Sequence, residues 1–135
     1  MPIQTHWYDD EHRVIVQHYE GNWSWEELGN NLRAMHELPD AAEGDLIILV
    51  DMSQTTVLPQ GNVLMQGRAI FKQVPQNVSL VVFVLESSLI KSFVRLVFEM
   101  MPSWRNRLQF ARTLEEGQRL VGEAAAKQVA KAGIN

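Results

Sequence analysis

Two stretches of the chain are apolar throughout or but for one serine, and most of what surrounds them either alternates or repeats at helical spacing. Leu46 to Val50, bounded by Asp45 and Asp51, lacks the polar alternation of a strand with one face in water, so it predicts the central strand of a parallel sheet. Val78 to Leu85 is a second run of this kind and predicts a second inner strand. Ile3 to Tyr8 and Arg13 to Tyr19 are rich in aromatic and β-branched residues and are separated by Asp9, Asp10 and Glu11, which reads as a hairpin. Trp25, Leu28, Leu32 and Met35 then recur at helical spacing. Ser24 and Glu27 have the spacing of a capping box, Trp23 and Leu28 that of a hydrophobic staple, and Pro39 stops the helix near Leu38. Glu43 and Gly44 turn the chain into the central strand.

Val63, Gly67, Ile70, Phe71 and Val74 trace one face of a second helix that Pro75 closes, with Gly67 on the buried side allowing close approach to the sheet. A third helix follows, capped by Ser87 or Ser88 and ended by Pro102. Arg107 to Ala111 alternates like an edge strand. Thr113 to Glu116 is a second capping box, after which Leu114, Leu120, Val121, Ala124 and Val129 mark a final amphipathic helix. The order β-β-α-β-α-β-α-β-α predicts a hairpin and three right-handed crossovers. The expected architecture is a single α/β domain over residues 1–135, an open and mostly parallel sheet with helices packed on it.

The third helix carries more apolar surface than one sheet contact needs. Leu89, Ile90, Phe93, Val94, Leu96, Val97, Phe98, Met100 and Met101 cover most of its circumference, and Lys91, Arg95 and Glu99 form one narrow polar stripe. A helix on one side of a sheet needs an apolar arc of little more than about 100°. The surplus belongs to a subunit interface, to a ligand pocket, or to contacts with nearby loops and the C-terminal helix.

Composition narrows the function classes. Hydrophobic residues are 46 % and charged residues 21 % of the chain, which are globular values. The net charge of −4 gives no long-range attraction toward nucleic acid or an anionic membrane. The absence of cysteine excludes disulfides and thiolate chemistry. There is no basic leader and no run of about 18 apolar residues, so a soluble, cytoplasmic protein is expected, with no membrane insertion.

Parallel sheets place functional groups where strands end and helices begin. Here that edge holds Asp51, Ser53, Gln54, Thr55 and Thr56, then Pro59, Gln60 and Gly61. Four histidines are present, His6, His12, His18 and His36. His6 and His18 can face each other across the hairpin beside Asp9 or Glu20, which falls short of a closed metal site of about four ligands. All four precede the central strand, so none is expected near the strand ends to form a Ser-His-Asp set with Ser53 or Ser88. Asp51 and Glu86 end adjacent inner strands and are read as solvated carboxylates rather than a coupled pair. No phosphate-binding glycine motif occurs. Neither metal nor cofactor is expected. Trp23 and Trp25 are assigned to the staple and core, and Trp7 and Trp104 to solvent, interface or ligand.

The element order, the GxWxWEEL text at Gly21 to Leu28 and the strand ending DMS at Asp51 to Ser53 resemble the STAS fold of anti-sigma factor antagonists, and more closely the SpoIIAA-like group of small bacterial proteins. In the antagonists the loop after the equivalent strand ends in a DSSG-like motif whose serine is phosphorylated. That motif falls on Pro59, Gln60, Gly61 and Asn62, where no hydroxyl stands. The resemblance therefore implies the fold and the use of this surface in signalling, without the phospho-switch.

The expected function is that of a non-enzymatic interaction module that binds a protein partner or itself as a homodimer. Its surface would combine Asp51, Ser53, Thr55, Thr56, Gln60 and Gly61 with Glu86, Ser87, Ser88, Lys91, Arg95 and Phe98. The alternative is a small carrier or sensor of an apolar ligand held between the third helix and the sheet, with Ser87, Ser88 and Arg95 at a polar entrance.

Overall fold

A computed structural model describes residues 2–38, 44–55 and 58–133. Its strands are β1 (Ile3–Trp7), β2 (Val14–Glu20), β3 (Leu46–Gln54), β4 (Val78–Val84) and β5 (Leu108–Ala111). Its helices are α1 (Trp25–His36), α2 (Val63–Phe71), α3 (Ser88–Glu99) and α4 (Leu114–Gly133). The five strands form one sheet in sequence order, antiparallel between β1 and β2 and parallel from β2 to β5. The protein is thus α/β, with β3 at the centre and β1 and β5 at the edges.

Two separate cores show how the helices divide. Ile48, Val50 and Met52 of β3 and Val81 and Phe83 of β4 pack with Leu28, Leu32 and Met35 of α1, Ile70 of α2 and Ile90, Val94 and Phe98 of α3. The alternate residues Ile47 and Leu49 of β3 and Val82 and Val84 of β4 pack with Val121 of α4. Successive side chains on a strand point to opposite faces, so α1, α2 and α3 share one face and α4 occupies the other. Both faces of β3 and β4 are buried, which is why their sequences carry no polar alternation. α4 contacts β3, β4 and β5, and Val14 and Val16 of β2 join the same core.

Helix starts follow the sequence. The Ser24 hydroxyl accepts from the Glu27 N–H at 3.1 Å, and the Thr113 hydroxyl from the Glu116 N–H at 3.1 Å. The Glu116 carboxylate reaches the N–H of Arg112, one residue before the cap, instead of that of Thr113. Of the two candidate caps for α3, Ser87 accepts from the Ile90 N–H at 3.3 Å. α1 ends at His36, and Pro39 and Glu43 lie outside the described residues.

Gly67 brings α2 against α3 rather than the sheet, since a Cβ there would stand 3.1 Å from both Phe93 Cζ and Val97 Cγ2. Gly117 allows a closer approach: a Cβ would lie 2.5 Å from Val84 Cγ2 and 3.0 Å from Leu49 Cδ1. Trp104 is buried among Phe71, Phe98 and the Arg107 guanidinium. Leu114 and Val129, expected on the buried face of α4, are exposed.

Candidate functional site

The end of the central strand carries a polar cluster in an otherwise apolar layer. Asp51 is only 2 % exposed, and both carboxylate oxygens are engaged. Oδ1 accepts from the Ser53 N–H at 3.0 Å and from the Ser53 hydroxyl at 2.6 Å. Oδ2 lies 2.8 Å from Nδ1 of His18 on β2, the residue that pairs with Asp51 across the parallel ladder. The His18 side chain is 34 % exposed. The β2–β3 register slips just beyond it, between His18 and Glu20, an irregularity of the kind that re-aims side chains near strand ends. By strand alternation, His18 and Asp51 sit on the α4 face, one register position beyond the apolar core that Leu49 shares with Val121.

Three sequence expectations are corrected here. A histidine does stand at the strand ends: parallel pairing sets His18 beside Asp51, although 33 residues separate them in the chain. Asp51 is neither solvated nor paired with Glu86, which is exposed. His6 is opposite Val16 and His18 is opposite Gln4, so the two imidazoles are not cross-strand partners. Among the described residues, no three His, Asp or Glu side chains converge in a metal-binding arrangement.

On the opposite face a cavity of about 80 Å³ lies between α1, α2, α3 and the sheet. Its floor is formed by Ile48, Val50, Val81 and Phe83, and its roof includes Leu28, Ile70 and Val94. The lining residues that still meet solvent are Trp25, Leu58, Phe71 and Phe93. Among the described residues, no carboxylate, imidazole, amine or guanidinium lines it, and Tyr19 is the only lining side chain with a hydroxyl; burial pushes its phenol well above the ordinary range, and it donates to Gln17 Oε1 at 2.7 Å. Trp23 and Trp25 meet edge to face at 5.2 Å between ring centroids.

The structure splits the expected interaction surface. Ser53, Gln60, Gly61, Glu86 and Ser88 are exposed, and Ser87 is half-buried as the α3 cap. Asp51, Thr55 and Phe98 are buried and offer no contact surface. Thr55 donates to the Gly21 carbonyl at 2.7 Å, tying the loop to the end of β2, and Phe98 packs edge-on against Phe71 and Phe83. Thr56 lies outside the described residues. Lys91 and Arg95 are exposed yet lie over the Phe110 ring, at 5.2 and 5.5 Å from its centroid, so the basic stripe packs onto the edge strand. Ser87, Ser88 and Arg95 do not line the cavity, so the expected polar entrance is replaced by an aromatic one.

The surplus apolar surface of α3 divides between two destinations. Ile90, Phe93, Val94 and Val97 wall the cavity, whereas Leu89 and Leu96 face solvent. α4 covers none of it, being on the far side of the sheet. The sequence offers His18 only as a metal ligand with His6, and gives no sign of its pairing with Asp51 or of the place of Trp23 and Trp25 in the cavity wall. A hairpin histidine two residues before the end of its strand was the available signal, but only strand pairing shows which carboxylate it meets. No protein-family model matches the chain, and no curated protein does either.

Proposed function

We propose that this chain is a STAS-like, SpoIIAA-like binding module that holds a small apolar ligand between its helical layer and its sheet. The element order and the position of Asp51 to Ser53 at the end of the central strand support the STAS-like reading. The observation that carries the ligand reading is the cavity of about 80 Å³ with no charged group in its wall. A fitted apolar occupant removes this apolar wall from water, which favours binding. Apolar pockets with few polar groups are the common form of small-molecule sites. The Tyr19 phenol is the ionisable side chain among the described lining residues, and its proton is committed to Gln17, so the cavity binds its occupant without transforming it.

The test is titration with benzene and with n-hexane, followed by thermal unfolding and by tryptophan fluorescence. Binding to the native state alone raises the midpoint with ligand concentration. The Val81→Phe variant, which fills the floor, should lose that response while remaining folded. No shift with either probe, in wild type or in variants that enlarge the space, would remove the carrier reading.

A second reading, contact with a protein partner or a second copy, is favoured by one observation. Leu89 is 72 % exposed and Leu96 and Met100 extend its apolar stripe along α3, while Met65 on α2 is 67 % exposed. Burial of Asp51, Thr55 and Phe98 shifts the contact residues to this stripe and ranks the reading second. Sedimentation of Leu89→Glu and Leu96→Glu variants tests it: weaker association with an unchanged circular-dichroism spectrum supports it, and a wild type that stays monomeric at high concentration without a partner counts against self-association.

A further inference from the structure

The cavity does not use the chemistry on the other face of the sheet, and that chemistry is arranged. An imidazole whose Nδ1 is held by a buried carboxylate is fixed in one ring orientation, with Nε2 directed away from the carboxylate. His18 and Asp51 meet this description at 2.8 Å, with Asp51 almost fully buried and His18 one-third exposed. Ser53 adds to it: by donating twice to Oδ1, it leaves Oδ2 for the imidazole and fixes the plane of the carboxylate. The Ser53 hydroxyl is committed to Asp51, so it is not the nucleophile of this set. The other described histidine with a like degree of burial, His12, is stacked on Trp7 at 4.6 Å, and the exposed His6 and His36 bond to main-chain carbonyls of Trp7 and Gln73. Only His18 combines a carboxylate on Nδ1 with a position at the ends of the parallel strands.

We infer that His18 is a nucleophilic imidazole that accepts acyl groups from small activated esters, a site separate from the apolar cavity. The Nε2 lone pair attacks the carbonyl carbon, and the tetrahedral adduct collapses with loss of the leaving oxygen, which departs with the bonding pair and is protonated by water. The acyl-imidazolium is stabilised by Asp51, which keeps its hydrogen bond to Nδ1–H and does not itself take the proton. Water then cleaves the N–acyl bond, so the sum is ester plus water to acid plus alcohol, with the imidazole restored. A neutral acyl group suits the local field better than a phosphoryl group. Asp51 is at the site and Glu20 two residues along the strand, and these carboxylates would repel an anionic group.

The experiment uses the intact chain and p-nitrophenyl acetate, reading nitrophenolate release together with the site of acetylation by peptide mapping. Acetyl should appear on His18 ahead of His6 and His36, although those rings are more exposed. His18→Gln and Asp51→Asn should each lower the release rate about tenfold or more, as expected for loss of the nucleophile or of the carboxylate that orients it, with the circular-dichroism spectrum unchanged. His6→Gln should leave the rate as it is. Acetylation shared evenly among histidines and lysines, or an Asp51→Asn protein that reacts like wild type, overturns the inference. If Asp51→Asn does not fold, the order of acetylation within the wild-type chain still decides. A purely structural His18–Asp51 pair predicts no preference for His18.

Discussion

His18 Nδ1 and Asp51 Oδ2 stand 2.8 Å apart across the β2–β3 ladder, joining the hairpin to the central strand where, alone among the described residues, a carboxylate is sunk into the sheet. Truncating one partner leaves the other's polar atom buried and unsatisfied, which costs about 1 to 3 kcal/mol. His18→Ala should therefore lower the urea unfolding free energy by that amount. His6→Ala, at an exposed strand position, should change it by less than about 0.5 kcal/mol. Equal effects of the two substitutions would show that the Asp51 contact contributes no stability.

The glycines of α4 should respond with opposite signs. Alanine is favoured over glycine inside a helix by about 1 kcal/mol. At Gly122, where nothing lies within 4 Å of an added Cβ, Gly122→Ala should raise the melting temperature. At Gly117 the same methyl meets Val84 and Leu49 of the sheet, and overpacking of about 1 to 3 kcal/mol outweighs the propensity gain, so Gly117→Ala should lower it.

Which serine caps α3 is open to direct measurement. Ser87→Ala removes the acceptor for the Ile90 N–H and should cost about 1 kcal/mol in thermal unfolding. Ser88, the first residue of the helix and exposed, should tolerate alanine with little or no loss.

Tyr19 should limit stability in alkaline solution. Burial raises its phenol above the ordinary value of 10.0, so the unfolded chain loses the proton first. The stability contributed by the neutral phenol is fully present below that value and is lost as pH rises above it. The unfolding free energy should fall more steeply above about pH 10 in wild type than in Tyr19→Phe, and parallel curves would exclude Tyr19 as the cause.

Much of the fold was legible because its causes are local. The capping hydroxyls of Ser24 and Thr113 act over three residues, and the continuous apolar runs at Leu46 and Val78 can be accommodated only with both strand faces covered. The site was less legible. Asp51 was singled out from its place at the end of a buried strand, but its partner comes from the hairpin, and no spacing in the chain encodes that meeting. Phe98 was read as contact surface because it lies on a helix that is apolar on nearly every side. Its position relative to α2 and β4, rather than its own helix, decides that it is buried against Phe71 and Phe83.

The sequence by itself determined the kinds and order of the elements, since periodicity, caps and apolar runs are set by residues close in the chain. It also determined that β3 and β4 lie inside the sheet. The tertiary structure alone decided that three helices crowd one face and leave a cavity there, that α4 takes the other face through Gly117, and that His18 meets Asp51. Each of these is a contact between segments far apart in sequence, and its energy depends on the distances that packing establishes rather than on the identity of neighbouring residues.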